Sequence, residues 1–299
     1  AAHGPIGCRW RRIAGTSLVL IGMVALAGCS PRHLLVRQVA DALASQGQAA
    51  EDDLALARDA APFYLRLSES VLADDPGHLG LAEAVAGGFT QYAYAFVAFE
   101  ADRVAGQDAR SAQRLRQRAA RLYLRAQRHA MAALRAHQPG LVAALALPTT
   151  PPLAPELVGV AYWAAAAWAS HIALSTDQPE VVADLPRAVR LAALAFAQQP
   201  GHGDGSLAAL VATLEAARPG GQRAQAEAWF AQAGQLAAGR NAGVLVAQAE
   251  ALAQPAGDRP RFDALLRQAL AVADTHPTLA NTAMRERAQW LLDTADDLF

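Results

Sequence analysis

From Glu51 to Phe299 the chain is a succession of alanine- and leucine-rich stretches, each cut short by Pro, Gly or Asp. The cuts fall at Asp74 to Gly77, Gly106, Pro139-Gly140, Pro148 to Pro155, Asp177 to Pro179, Pro200 to Gly205, Pro219 to Gly221, Gly239 to Gly243, Pro255 to Pro260 and His276-Pro277. Proline cannot continue a helix and glycine ends one, so these clusters punctuate a run of helices. No stretch of useful length alternates apolar with polar residues as a half-buried strand would. Alanine dominates, Val, Ile, Thr and Tyr are sparse, and 53% of the residues are hydrophobic. That balance predicts an all-α fold with a well-filled core.

Aromatic residues hint at a repeat. Tyr162, Phe196 and Phe230 are 34 residues apart and Phe262 follows 32 further on, with Ala192 and Ala226 each four residues ahead of a phenylalanine. In a tetratricopeptide-like helical repeat solenoid, a small residue lets paired helices approach and an aromatic fills the gap between pairs. A plain helical bundle, in which aromatics are spaced irregularly, is the competing expectation.

The N-terminus sets a location. Arg9, Arg11 and Arg12 precede an apolar stretch from Ile13 to Leu26 that is too short and too interrupted to span a bilayer, the layout of a secretory signal. Leu26-Ala27-Gly28-Cys29 resembles a bacterial lipobox, which implies cleavage after residue 28 and lipidation of Cys29. The expected organisation is a signal peptide at 1–28, a membrane tether or first helix at 29–50, and a helical domain at 51–299. Ser30 stands where Asp usually marks retention at the inner membrane, so the resemblance favours a periplasmic protein anchored to the outer membrane. Cys8 would leave with the signal, so no internal disulfide could form and the core must suffice in an oxidising compartment. Cleavage would leave 23 basic side chains against 27 acidic ones, which argues against nucleic acid as a partner.

Four blocks behind the lipobox carry a resemblance. They are Gly88-Phe89-Thr90-Gln91-Tyr92-Ala93-Tyr94-Ala95-Phe96-Val97 leading to Glu100-Ala101-Asp102; Arg118-Ala119-Ala120-Arg121-Leu122-Tyr123-Leu124-Arg125-Ala126; Tyr162-Trp163 with Trp168; and Leu279-Ala280-Asn281 with Arg287 to Leu292 and Asp296 to Phe299. In that order the chain resembles the T-component family of tripartite ATP-independent periplasmic (TRAP) transporters. The resemblance implies a tetratricopeptide-like lipoprotein that associates with the transporter's periplasmic substrate-binding protein, helps deliver a ligand and catalyses nothing. An outer-membrane tetratricopeptide lipoprotein acting as a structural adaptor in envelope assembly is the rival expectation.

Candidate binding residues come from these blocks. Arg110, Arg114, Arg118, Arg121, Arg125 and Arg128 step by four and three, which puts them on one helical face over about 27 Å. Such a face is either solvated and paired with acids or a basic wall for an acidic ligand or partner, since arginine forks bind carboxylates in bidentate geometry. Gln91, Tyr92 and Tyr94, with Tyr123, Tyr162 and Trp163, could line a cleft that is apolar yet offers donors, though core packing is the competing role. Asn281 and Arg287 complete the set, with helix-terminal or salt-bridge roles as their simpler reading. The ligand would be a small organic acid or an apolar molecule, and a second copy of the chain is a further candidate partner. Gly201-His202-Gly203-Asp204-Gly205 lacks the lysine and hydroxyl of a phosphate loop and reads as a turn. Eight scattered histidines form no HExxH and no Cys-x-x-Cys exists, so neither a metal nor another cofactor is expected.

Overall fold

Each cut becomes a helix boundary in the computed structural model, which describes Ala1 and residues 31–46 and 53–299. The signal segment, Cys29 and the spacer around Gly47 lie outside the described residues. The helices are α1 (Pro31–Gln46), α2 (Leu54–Asp74), α3 (Leu79–Tyr92), α4 (Phe99–Val104), α5 (Ala109–His137), α6 (Leu141–Ala144), α7 (Val158–Ala173), α8 (Pro179–Val182), α9 (Leu185–Gln198), α10 (Ser206–Ala217), α11 (Arg223–Ala237), α12 (Ala242–Gln248), α13 (Arg259–Thr275), α14 (Leu279–Asp293) and α15 (Ala295–Leu298). Among the described residues there is no strand. The polar residues at the breaks act as caps. Asp53, Asp108, Asn241, Asp258 and Thr278 each accept hydrogen bonds from backbone N–H groups of the helix that follows, satisfying donors that have no partner within the helix.

Two helices run on through a π-helical segment, Ala93–Ala98 between α3 and α4 and Ala249–Ala253 after α12. A π-turn carries an extra residue per turn and is frequent at functional sites, because it re-aims the side chains around it.

The main core gathers α3, α5, α7, α9 and one side of α10. Gly87 lets α3 and α7 close together, since a Cβ there would lie 2.7 Å from the Trp163 ring. Further along, α10 and α11 form a second cluster around Phe230, and α12, α13 and α14 a third around Phe262. Ala192 and Ala226 are fully buried, as small residues between packed helices should be. Phe196, Phe230 and Phe262 lie on α9, α11 and α13, the first helices of successive hairpins, but near the C-terminal end, the middle and the N-terminal end of their helices in turn, so the 34- and 32-residue spacing does not place them at equivalent positions; Tyr162 lies in the first half of α7.

Unlike an open array, in which each unit touches only its neighbours, this chain returns on itself. Arg103 on α4 donates to Glu286 on α14 at 2.9 Å across 183 residues of sequence, and the Phe99 and Trp290 rings meet edge to face at 5.6 Å. At the other end α1 is docked on the body rather than standing free. Ala40 and Leu43 are buried, the Tyr64 hydroxyl donates to the Leu43 carbonyl, and His78 meets Asp41 at 2.9 Å.

Glu69 on α2 ties that helix to α5. Arg125 Nε donates to Oε1 at 2.6 Å, its Nη2 to Oε2, and His129 Nε2 lies 2.7 Å from Oε1. Burial alone would raise the Glu69 pKa, but the hydrogen bonds and charges of Arg125 and His129 hold it down at about 2. A carboxylate depressed in the folded state contributes stability that is full above its unfolded pKa and vanishes as pH falls through the folded value. Glu69→Gln should therefore cost about 1–2 kcal/mol at pH 7, after allowance for partial solvent screening. In thermal melts the gap from wild type should narrow steadily between pH 5 and pH 2; a gap independent of pH would contradict the assignment.

Candidate functional site

A cleft of about 590 Å³ opens where the returning C-terminal helices face the first π-segment. Its walls are mostly apolar: Leu210, Ala216 and Ala217 from α10, Val244, Val246 and Ala247 from α12, with Met284 from α14. The two π-segments contribute Tyr94 and Glu250 to the same space, and Tyr162 reaches it from α7. An apolar pocket with a few placed polar groups is the usual form of a small-molecule site.

Most polar groups of the lining are already occupied. Asn241 donates through Nδ2 to Ser206 at 2.9 Å and to the Gly203 and Asp204 carbonyls, while its Oδ1 accepts from the Gly243 N–H. Thr213 donates to the Ala209 carbonyl at 2.9 Å. Tyr162 pairs with Ser206, and burial pushes its phenol up to about 12.

Behind the wall sits an ion network. Glu250 Oε1 accepts from Arg287 Nε at 3.2 Å and Nη2 at 2.6 Å, and Arg287 Nη1 donates to Asp102 Oδ2 at 2.8 Å. Arg116 lies 3.6 Å from the other Asp102 oxygen. The Arg287 guanidinium is stacked 5.0 Å from the Phe99 ring centre and 4.9 Å from that of Trp290. Burial opposes its charge, but the Glu250 carboxylate and then the hydrogen bond to Asp102 outweigh this and hold its pKa above the ordinary arginine value. Tyr94 is kept neutral in turn, its pKa raised by burial and then by the Glu250 carboxylate.

The sequence candidates scatter around this geometry. Tyr94 and Tyr162 line the cleft, and Arg287 stands behind it through Glu250. Trp163 packs beside Tyr162 at 4.7 Å and over Gly87. Tyr123 is 2% exposed and pairs with Ser170, inside the core. Asn281 is buried and joins three backbone groups, accepting from the Ala242 N–H and donating to the Arg240 and His276 carbonyls. Gln91 is exposed, and Tyr92 packs against Phe96 with Arg118 6.0 Å over its ring.

The arginine face of α5 does not enter the cleft, whose lining holds no arginine or histidine. Arg110, Arg114, Arg118, Arg121 and Arg128 are exposed, and among the described residues none of them makes an ion pair; only Arg125 turns to a carboxylate. Sequence reasoning missed Glu250, Met284 and the Ser206/Asn241 pair. The one visible signal was Asn241 at a helix start, and that speaks of capping alone. Among the described residues no cluster of His, Cys, Asp and Glu could hold a metal ion, and no helix is long and apolar enough to cross a membrane.

Known proteins resemble this chain along most of its length. An uncharacterised protein of Treponema pallidum (strain Nichols) is 27% identical over 306 aligned residues, which cover 98% of this chain and 93% of the relative. The profile of the TRAP transporter T-component family matches residues 50–299, a span that includes both π-segments, the cleft and the Arg287 network. A family defined by a transporter component is not a known enzyme family, and a helical body built around a mostly apolar cleft suits that role. By this match the chain belongs to the family of TRAP transporter T-components.

Proposed function

We propose that the protein is a lipid-anchored periplasmic T-component that receives a small apolar ligand in its cleft and holds the transporter's substrate-binding subunit against the basic face of α5. The observation that carries this reading is the cleft itself, large enough for a small molecule and walled by apolar side chains whose polar neighbours are mostly satisfied within the protein. An organic acid would need cations in the lining, and the arginines lie elsewhere. A structural adaptor needs only a shallow groove, so the cleft favours transport over that rival. The helix pairs α9/α10, α11/α12 and α13/α14 are read as degenerate tetratricopeptide-like units, each with a phenylalanine, Phe196, Phe230 or Phe262, on its first helix. Anchoring would run through Cys29, and the residue after it favours the outer membrane.

The exposed arginines of α5 supply the second half of the reading. Five exposed guanidinium groups along one face, none of them in an ion pair among the described residues, attract an acidic surface and steer its approach. In an envelope extract containing the cognate substrate-binding subunit, the tagged full chain should capture that subunit. The Arg118→Glu, Arg121→Glu, Arg128→Glu triple variant should lose at least tenfold of it in 150 mM salt while melting like the wild type. Cys29→Ser should shift the protein from the membrane to the soluble fraction without changing capture. Repeated failure of the wild type to retain the subunit would overturn the docking half, and membrane retention of the Cys29 variant the anchoring half.

A further inference from the structure

Two polar groups that line the cleft are left over once the internal hydrogen bonds are assigned. The Tyr94 hydroxyl makes no hydrogen bond among the described residues, and Glu250 spends Oε1 on Arg287 while no described donor reaches Oε2. Both groups come from π-segments, one from each. Because Asn241, Ser206 and Thr213 already spend side-chain hydrogen bonds within the protein, this pair holds the charged acceptor and the uncommitted hydroxyl donor that the cleft offers a bound molecule.

The pair is an acceptor beside a hydroxyl, with no cation open to the cleft. Arg287 is the nearest positive charge, yet its Nε and Nη2 are taken by Glu250, its Nη1 by Asp102, and its faces by Phe99 and Trp290. A ligand carboxylate entering here would meet the Glu250 charge without a free fork to receive it, whereas an O–H or N–H donor would complete Oε2. Unsatisfied polar groups in a desolvated site discriminate strongly between such ligands.

We infer that the cleft selects molecules with an apolar body and a hydrogen-bond-donating head, an alcohol or a protonated amine, through Glu250 as acceptor and Tyr94 as second contact, and that it discriminates against carboxylates. This rests on the cleft being a ligand site at all.

The test uses three water-soluble probes that share one tail: 1-hexanol, hexylamine and hexanoate, titrated calorimetrically into the full chain at pH 7.5. Hexanol and hexylamine should bind at least tenfold more tightly than hexanoate, and the difference between those two reports which donor the site prefers. Glu250→Gln should remove most of the discrimination against hexanoate. Tyr94→Phe, which leaves the Arg287 pairs intact and so keeps the fold, should weaken hexanol and hexylamine several-fold. Hexanoate binding as tightly as either donor would overturn the selectivity while leaving the cleft a ligand site. Absence of binding by all three probes, with wild-type melting unchanged by each, would overturn the cleft as a ligand site and the selectivity with it.

Discussion

Gly205→Ala should be among the most damaging single-methyl changes in this protein, with a loss of about 3–4 kcal/mol. Gly205 has φ of 84° at the entry to α10, a conformation that costs an alanine about 1–2 kcal/mol. A Cβ there would also lie 2.4 Å from the Ala233 carbonyl oxygen and 3.2 Å from the Ala237 nitrogen, both backbone atoms of α11 that no rotamer change can move. Relief requires α10 and α11 to separate, and the interior between them is close-packed around Phe230. Gly239→Ala is the control. It shares a positive φ, 73°, but nothing lies within 4 Å of the added carbon, so it should show the backbone cost alone, about 1 kcal/mol. Thermal melts of the two variants should differ by several degrees. Because Ser206 and Asn241 adjoin Gly205, the same change should also disturb the cleft, so probe binding ought to fall in Gly205→Ala and persist in Gly239→Ala. Equal melting of both variants would show that the approach of α11 is not what this glycine serves.

What the sequence made legible was local. Helix ends were readable because Asp53, Asp108, Asp258 and Thr278 cap their own helices within three residues, and a cap is a short-range interaction. The 4-4-3-4-3 spacing of arginines fixed a common helical face, and five of the six do stand in solvent, yet spacing says nothing of which way a face is turned. It also could not reveal that Arg125 leaves that set for Glu69, 56 residues away. Periodicity failed at the π-segments for a related reason. A single extra residue in a turn leaves no mark in an alanine-rich stretch, so spacing cannot say which way Tyr94 points, and Glu250 is one acid in an apolar helix with nothing beside it in sequence to mark it. The importance of Glu250 comes from Arg287, 37 residues on, and from the return of α14 to α4. Contacts of that range are decided by how whole helices pack, which no window of sequence contains. The block resemblance nevertheless led to the right family, because order along the chain survives where the contacts are unknown.

That return of the chain depends on Arg287, and Arg287→Met should be the most disruptive change to it. The side chain is 12% exposed and holds two carboxylates from distant elements, Asp102 and Glu250, while its planar cation fills the space between Phe99 and Trp290. Methionine can replace the apolar contacts but leaves two acids without their shared counter-charge, and breaking such a pair costs about 2–3 kcal/mol once the partial exposure of Asp102 and Glu250 is allowed for. The loss should be unequal between the acids. Asp102 keeps Arg116 at 3.6 Å, whereas among the described residues Glu250 pairs with Arg287 alone. Glu250→Gln added to Arg287→Met should therefore recover more stability than Asp102→Asn added to it, a coupling measurable as a double-mutant cycle. Hydrogen exchange gives the spatial half of the prediction. Protection in α14 and α4 should fall in Arg287→Met while the core helices α5 and α7 keep theirs, since those are packed around Ala126, Leu134 and Trp168 rather than around the ion network. A variant that loses protection evenly through the molecule, or one that melts with the wild type, would mean that apolar packing of Phe99 on Trp290 holds the chain closed and that the charges behind the cleft serve only the ligand.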